Sequence, residues 1–117
     1  MKKVYYLKTC NTCTRIINAI NWPSGFEFQD IKQNPITVKQ VEAMHQLSGS
    51  YEALFSKRAK LYKEMDLKNA NLTETDFKQY LLEHYTFLSR PVVIINHQIF
   101  IGSSKKTIEN LKAALSE

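Results

Sequence analysis

The hydrophobic pattern near the N-terminus changes its period twice in quick succession, and this feature most constrains the fold. Val4-Tyr5-Tyr6-Leu7 is a short β-branched and aromatic run, typical of a buried strand. The next apolar residues recur at the spacing of one helix face: Cys13, Ile16, Ile17 and Ile20. Phe26-Glu27-Phe28-Gln29 then alternates as a second strand. A strand, a helix and a strand in this order predict a βαβ unit with parallel strands and a right-handed crossover.

The middle of the chain, from Pro35 to about residue 86, has only helical patterns. Thr37-Val38-Lys39-Gln40 fits a capping box. Apolar residues then recur every three positions until Ser48-Gly49-Ser50 ends the helix: Val38, Val41, Met44 and Leu47. Residues 53–65 resemble shorter, broken helical pieces. Thr73-Glu74-Thr75-Asp76 opens another helix, on which we expect four residues to share one face: Phe77, Tyr80, Leu81 and His84.

The last third returns to strands. Val92-Val93-Ile94-Ile95 and Gln98-Ile99-Phe100-Ile101 flank Asn96-His97, which predicts a tight antiparallel hairpin. Gly102-Ser103-Ser104 leads to a closing helix with apolar residues inward: Ile108, Leu111 and Leu115. The order βαβ, helices, ββα predicts an α/β fold. At 117 residues we expect one domain, with residues 35–86 as a helical insertion within it.

Two cysteines, Cys10 and Cys13, lie two residues apart at the predicted turn from strand to helix, and the chain has no others. A thiol with a pKa of about 8.5 is only roughly 3% ionised at pH 7, whereas one near 6.5 is roughly three-quarters ionised. Helix N–H groups and nearby cations favour the thiolate of Cys10, so we expect Cys10 to be a nucleophile and Cys13 to resolve its adduct. The alternatives are an inert buried Cys10 and a Cys13 that only packs with Ile16 and Ile17.

Charge and composition favour neither nucleic acid nor metal binding. The net charge is +5, and its densest cluster resembles a solvated helix face: Lys57, Arg58, Lys60 and Lys63. The three histidines, His45, His84 and His97, lack the spacing of a zinc site. The sequence shows no secretion signal and no apolar run long enough to cross a membrane, so we expect a cytoplasmic protein that does not bind membranes.

Four blocks in this order and spacing resemble the arsenate reductase (ArsC) and Spx family, which has a thioredoxin-like fold. They are Tyr6-x-x-x-Cys10-x-Thr12-Cys13, Arg58 at the start of its helical piece, Leu88-Ser89-Arg90-Pro91-Val92-Val93-Ile94, and Gly102 after the hairpin. The resemblance spans nearly the whole chain. It implies a thioredoxin-like fold with a four-stranded mixed sheet and the helical insertion described above.

The resemblance also implies an oxyanion site. In the arsenate-reducing relatives, three arginines surround the nucleophilic cysteine and hold the oxyanion. Arg58 and Arg90 match two of them, and the alternative for each is an ordinary surface charge. At the third position this chain has Ser103-Ser104-Lys105-Lys106, which supplies charge without the planar guanidinium fork. Arg15, close to a family arginine but offset by one residue, is expected to be an exposed helix residue. Pro91 resembles the cis-proline that faces the cysteine motif, the alternative being a trans proline that starts the strand.

Two functions follow from the resemblance. The first is a thiol-disulfide oxidoreductase that acts on a small, arsenate-like oxyanion without a bound cofactor, using glutathione, glutaredoxin or thioredoxin as the external thiol reductant. The alternative is an Spx-like redox-switched regulator that binds the RNA polymerase α subunit near Gly49, a residue that a helix C-cap would also explain. Reduction of some other small oxidised substrate is a third hypothesis, because one fold supports several substrates.

Overall fold

The computed structural model describes residues 1–116, and the chain divides into two compact units. The sheet unit comprises Met1–Asn34 and the segment from Arg90 onward, and the helical unit comprises Pro35–Ser89. The helical unit begins at the residue where the predicted insertion begins, and it ends slightly beyond the expected residue 86. That the chain acts as one domain with an insertion stays a prediction.

The sheet has four strands in the order β2-β1-β3-β4: β1 (Lys2–Tyr6), β2 (Glu27–Asp30), β3 (Val92–Ile95) and β4 (Gln98–Ile101). β1 pairs parallel with β2 and antiparallel with β3, and β3 pairs antiparallel with β4. The predicted mixed sheet of βαβ and ββα parts is therefore confirmed. Asn96 has a φ of 55° in the turn between β3 and β4, the left-handed conformation that such hairpin turns require.

Five α-helices accompany the sheet in the described residues: α1 (Asn11–Ala19), α2 (Val38–Ser48), α3 (Lys60–Glu64), α4 (Glu74–Glu83) and α5 (Lys105–Leu115). α1 and α5 belong to the sheet unit, and the other three belong to the helical unit. Three short 3-10 helices complete the helical unit: Glu52–Leu54, Leu67–Asn69 and Tyr85–Phe87.

The core of the sheet unit lies on one face of the sheet. Val4 of β1 and Val93 of β3 are register partners, so their side chains point to the same face. Three residues pack on them: Ile16 of α1, its C-cap residue Ile20, and Leu111 of α5. Each such fully buried aliphatic side chain contributes about 1.5–3 kcal/mol to folding. This packing fixes both helices, and therefore their N-termini, relative to the central strands.

Two helices of the helical unit, α2 and α4, begin at capping boxes. The Thr37 hydroxyl accepts a hydrogen bond from the Gln40 N–H at 3.1 Å, and the Gln40 side-chain oxygen accepts one from the Thr37 N–H at 3.0 Å. This is the predicted capping box, and Thr73 and Asp76 form a second one at the start of α4. An aromatic cluster fills the core of the unit, with Phe55 stacked on Phe87 and edge-on to Phe77.

Two predictions of helix faces in this unit are wrong. Val38 is 50% exposed, because it occupies the first position of α2, and the buried residues of that helix are Val41 and Met44. His84 does not continue the face of α4, because its backbone is extended (φ −148°, ψ 130°). Its Nδ1 instead accepts a hydrogen bond from the Thr86 N–H at 3.2 Å and caps the following 3-10 helix.

Gly49 ends α2 in the left-handed conformation, with a φ of 77°, and its N–H donates to the His45 carbonyl at 2.7 Å. A Cβ added at this position meets no atom within 4 Å, so backbone strain is the main cost of a side chain. We expect Gly49→Ala to lower the free energy of unfolding by about 1 kcal/mol. Gly49→Asn should cost less, because asparagine tolerates this conformation. Urea unfolding of the three proteins measures both values, and equal stability of the alanine variant and wild type would contradict the helix-cap explanation.

Candidate active site

The pairing of the central strands brings three segments to one end of the sheet. Tyr5 of β1 is the register partner of Val92, and Val92 is the partner of Ile101. The turn after β1, the residues before β3 and the residues after β4 therefore lie at the same end. The Gly102 N–H donates to the Pro91 carbonyl at 2.9 Å and joins two of these segments directly.

Cys10 is the N-cap residue of α1, with an extended backbone (φ −91°, ψ 113°). Its N–H donates to the Leu7 carbonyl at 3.0 Å, and its carbonyl accepts from the Thr14 N–H at 3.1 Å and the Thr14 hydroxyl at 3.3 Å. These bonds hold the residue at the junction of strand and helix. The Cys10 side chain is partly exposed and Cys13 is fully buried, and both thiols are free.

The pKa of Cys10 lies below its ordinary value of 9.0. Partial burial alone would raise this pKa, but the hydrogen bonds outweigh it: the backbone and the thiol of Cys13 both bond to the Cys10 sulfur, and so does the backbone of Thr12. The positive charge of Arg90 lowers the pKa further. The sulfur lies beside N–H groups of the first helical turn, but its geometry does not make it a side-chain cap of α1. Helix formation and ionisation of Cys10 support each other.

The pKa of Cys13 is displaced in the opposite direction, to about 11. Burial is the largest cause, and the neighbouring Cys10 adds to it through its hydrogen bond and its charge, against the lowering effects of the Leu7 backbone and Arg90. Cys13 therefore holds its proton more strongly than Cys10 does and can donate a hydrogen bond to the Cys10 sulfur. Because the two thiols are three residues apart on one helix turn, this asymmetry favours Cys10 as the nucleophile.

Arg90 and Pro91 precede β3 at the same end of the sheet. The Arg90–Pro91 peptide bond is cis, the isomer that the sequence analysis expected. Arg90 is the one cation that acts on the pKa values of both thiols. The sheet unit thus assembles three of the sequence-predicted site residues, Cys10, Cys13 and Arg90, with Pro91 adjacent.

Arg58 lies in the helical unit, in an exposed turn two residues before α3, rather than at the start of a helical piece as expected. Its role at the cysteine pair stays a prediction. Arg15 is exposed on α1, as expected. The segment expected to carry a third arginine begins α5: the Ser104 hydroxyl accepts from the Thr107 N–H at 3.2 Å, and Lys105 and Lys106 are exposed in the first turn.

Comparison with known proteins identifies the family. The model of the ArsC family matches residues 5–111. The chain belongs to the ArsC family. No curated protein matches the chain. Membership supports a thiol-dependent oxidoreductase of the ArsC type with an external thiol reductant.

Solved structures share the fold of this ArsC family member. An arsenate reductase from Vibrio cholerae is 20% identical, with a TM-score of 0.68 over 97% of this chain and 98% of that one. An ArsC family related protein from Bacteroides fragilis is 24% identical, with a TM-score of 0.73 over 95% and 97% of the two chains. A protein from Staphylococcus aureus COL is 24% identical, with a TM-score of 0.75 over 94% and 97%. These likenesses establish the thioredoxin-like fold.

Residues outside the recognised motifs also build the site of this ArsC chain. Sequence reasoning did not single out Thr14, which holds the Cys10 carbonyl, or the backbones of Leu7 and Thr12, which bond to the two sulfurs. A threonine four residues after an N-cap cysteine was the available signal, because its hydroxyl reaches the i−4 carbonyl. Within residues 1–116, no three His, Cys, Asp or Glu side chains are arranged to hold a metal ion, and no helix is long and apolar enough to cross a membrane.

The Cys13 thiol should set the ionisation of Cys10. We expect Cys13→Ala to raise the pKa of Cys10, because the donor to its sulfur is lost. Cys13→Ser keeps a donating hydroxyl and serves as the matched control. The rate of Cys10 alkylation by iodoacetamide, followed against pH and checked by mass spectrometry, measures the midpoint. Equal midpoints in the alanine and serine variants would contradict a role for the Cys13 thiol.

The two opposed pKa values also give stability a characteristic pH dependence. Between the folded pKa of Cys10 and 9.0, the folded thiol is ionised while the unfolded one stays protonated, so Cys10 stabilises the fold increasingly as pH rises towards 9.0. Above 9.0, the unfolded Cys13 ionises first, so this contribution falls as pH approaches 11. The difference in unfolding free energy between reduced wild type and Cys10→Ala/Cys13→Ala should therefore peak near pH 9. A difference independent of pH would show that neither thiol is perturbed.

Proposed function

We propose that this protein is an arsenate reductase-like thiol oxidoreductase, in which the Cys10 thiolate attacks an arsenate-like oxyanion held by Arg58 and Arg90. The observation that carries the proposal is the asymmetry of the thiols: Cys10 is partly exposed with a lowered pKa, and Cys13 is buried and protonated. An exposed thiolate beside an arginine is suited to attack an oxidised anion, since guanidinium groups bind oxyanions in bidentate fashion.

The proposed reaction consumes two thiols and delivers two electrons. The Cys10 sulfur forms a bond to arsenic(V), and one oxygen leaves as water. A second thiolate then attacks the Cys10 sulfur, forming a disulfide, and the electron pair of the sulfur–arsenic bond passes to arsenic, which leaves as arsenite. Cys13 supplies this second thiolate when the disulfide is internal, and an external thiol supplies it otherwise.

Burial of Cys13 supports its proposed role as the resolving thiol. While Cys10 is a thiolate, its hydrogen bond and its charge raise the pKa of Cys13 and so oppose ionisation. Once Cys10 carries an adduct, both effects end, whereas the lowering effects of Arg90 and the Leu7 backbone remain. The pKa of Cys13 is therefore lower after the first step than before it, although burial continues to raise it.

No bound cofactor is required by this chemistry, because the electrons come from thiols. We propose a cytoplasmic location, where glutathione, glutaredoxin and thioredoxin keep thiols reduced. The choice of Arg58 as the second anion-binding arginine rests on its match to the family pattern. Reduction of another small oxidised anion by the same residues is the related proposal, because Lys105 and Lys106 stand where a third arginine was expected.

The RNA polymerase alternative has less support. The backbone conformation of Gly49 already accounts for a glycine at that position, since its φ of 77° ends α2. A regulator that binds the polymerase α subunit through Gly49 stays a prediction from the sequence resemblance.

Arsenate turnover tests the proposal. We expect Cys10→Ser to lose at least ~10³-fold in kcat/KM, because the nucleophile is removed. Arg58→Met and Arg90→Met should each raise KM for arsenate by about 10- to 100-fold, since each removes a charge-assisted hydrogen bond. Arg15→Met, at an exposed arginine on α1, is the matched control and should leave both constants unchanged.

Cys13→Ser separates the two sources of the second thiol. With Cys13 as the resolver, this variant should turn over only when glutathione and glutaredoxin are supplied, and wild type should also work with thioredoxin. Absence of wild-type turnover with all three reductants, on arsenate and on other oxidised anions, would overturn the enzymatic proposal.

A further inference from the structure

The first turn of α5 carries charges of the unfavourable sign. Ser104 is the N-cap, Lys105 and Lys106 follow as the first helical residues, and the first turn has no acidic residue. The N-terminus of a helix is the positive end of its dipole, where carboxylates are stabilising and cations are not. Such a departure from a local rule points to a role outside folding.

No acid neutralises these lysines within the described chain. Lys105 and Lys106 are exposed and take part in no ion pair within residues 1–116, and the same holds for Lys8. Other lysines do have partners: Lys57 pairs with Glu52, Lys60 with Glu64 and Lys78 with Glu42. The acid nearest to Lys8 is Asp30, whose carboxylate accepts hydrogen bonds from the N–H groups of Lys8 and Lys32 at 3.4 and 3.2 Å.

The three lysines surround the end of the sheet at which Cys10 lies. Lys8 is two residues before Cys10, and Lys105 and Lys106 follow β4, whose end is joined to Pro91 by the Gly102 hydrogen bond. β1 and β4 are separated only by β3, and the residues that follow both strands lie at the same end of the sheet. We call Lys8, Lys105 and Lys106 the basic face.

Only one sulfur of the pair is accessible at this face. Cys13 is 0% exposed, whereas Cys10 is partly exposed. In a Cys10–Cys13 disulfide, leaving-group chemistry favours expulsion of the thiol with the lower pKa, Cys10, but this requires attack on the buried sulfur. Solvent access therefore decides which sulfur is attacked, and an incoming thiolate must attack Cys10.

We propose that the basic face is the docking surface for an acidic dithiol protein that reduces the Cys10–Cys13 disulfide. The proposal rests on the resolving role of Cys13 in the proposed function. Lysines at the same end of the sheet as the accessible sulfur suit a partner that presents its own sulfur from a negatively charged surface, and their position on two segments of the chain favours a protein over a small thiol. The opposite charges also increase the rate of encounter.

The exchange is balanced without a further reactant. A thiolate of the partner bonds to the Cys10 sulfur, and Cys13 leaves as a thiolate that takes up a proton, in keeping with its pKa of about 11. The partner's second thiol loses its proton and attacks the mixed disulfide, which releases the Cys10 thiolate. The partner is oxidised to a disulfide and this chain gains two electrons.

The experiment follows reduction of the oxidised protein, with no arsenate present, by a thioredoxin of net negative charge and, in parallel, by dithiothreitol. The basic-face variant is Lys8→Glu/Lys105→Glu/Lys106→Glu. The matched control is Lys2→Glu/Lys39→Glu/Lys112→Glu, which makes the same charge change at exposed lysines, with Lys112 about 10 Å along α5 from Lys105. Free thiols are counted against time at low and high salt.

At low salt we expect the basic-face variant to be reduced by the acidic thioredoxin about 10-fold more slowly than wild type, and the control less than 2-fold more slowly. High salt should remove the difference, and dithiothreitol should reduce all three proteins at one rate.

Equal slowing of the basic-face variant and its control would show an effect of net charge alone and would overturn the docking surface. The docking surface would also be overturned if thioredoxin reduced both variants as fast as wild type. It would be overturned as well if dithiothreitol reduced the basic-face variant alone more slowly. Because arsenate is absent, these outcomes are independent of whether arsenate is the substrate. If the protein does not turn over arsenate but its reduction by thioredoxin still depends on the three lysines, the docking surface is supported and arsenate is excluded as the substrate.

Discussion

The pairing of β1 with both β2 and β3 is the constraint on which the rest of the sheet unit depends. β1 runs parallel to β2 and antiparallel to β3, so the end of β1 meets the beginning of β3. Cys10 follows β1, and Arg90 precedes β3. Val4 and Val93 share a sheet face and hold α1 and α5 against it, which aims the N-termini of both helices at this same end. The position of the thiol, the arginine and the lysines is thus a consequence of strand register and one apolar cluster.

Helix geometry then makes the two cysteines chemically different. Cys10, at the N-cap, is outside the helix and receives hydrogen bonds from its first turn, whereas Cys13 is inside that turn and lies on the apolar face with Ile16. Burial raises the pKa of both thiols. Only at Cys10 do the hydrogen bonds and the charge of Arg90 lower the pKa by more than burial raises it. A spacing of three residues is sufficient to make the two pKa values differ. It is long enough to cross the helix boundary and short enough to keep a hydrogen bond between the two thiols.

The sequence predicts most of the secondary structure for identifiable physical reasons. The capping box at Thr37, the hairpin at Asn96 and the apolar spacing of Ile16 and Ile20 are local signals, and the structure has each of them. Val38 and His84 were misassigned because periodicity cannot tell where a helix ends or which end residue remains in solvent. Cys10, Cys13 and Arg90 could be brought together from strand order. The bond from the Leu7 backbone to the Cys13 sulfur depends on atomic positions that no spacing rule contains, whereas the bond from the Thr14 hydroxyl to the Cys10 carbonyl follows the i−4 spacing.

Lysine at the start of α5 also has a chemical meaning that arginine would not have. A guanidinium fork is suited to hold one oxyanion in a fixed orientation, whereas an ammonium group on a flexible stem attracts anionic surfaces without fixing their geometry. Replacing a potential ligand by two exposed lysines weakens orientation of a small substrate and retains long-range attraction. Arg90 lowers the pKa of both thiols, whereas the exposed lysines attract approaching anionic groups. One end of the sheet can therefore separate the control of sulfur chemistry from the recruitment of its reductant, because short-range hydrogen bonding governs the first and long-range charge governs the second.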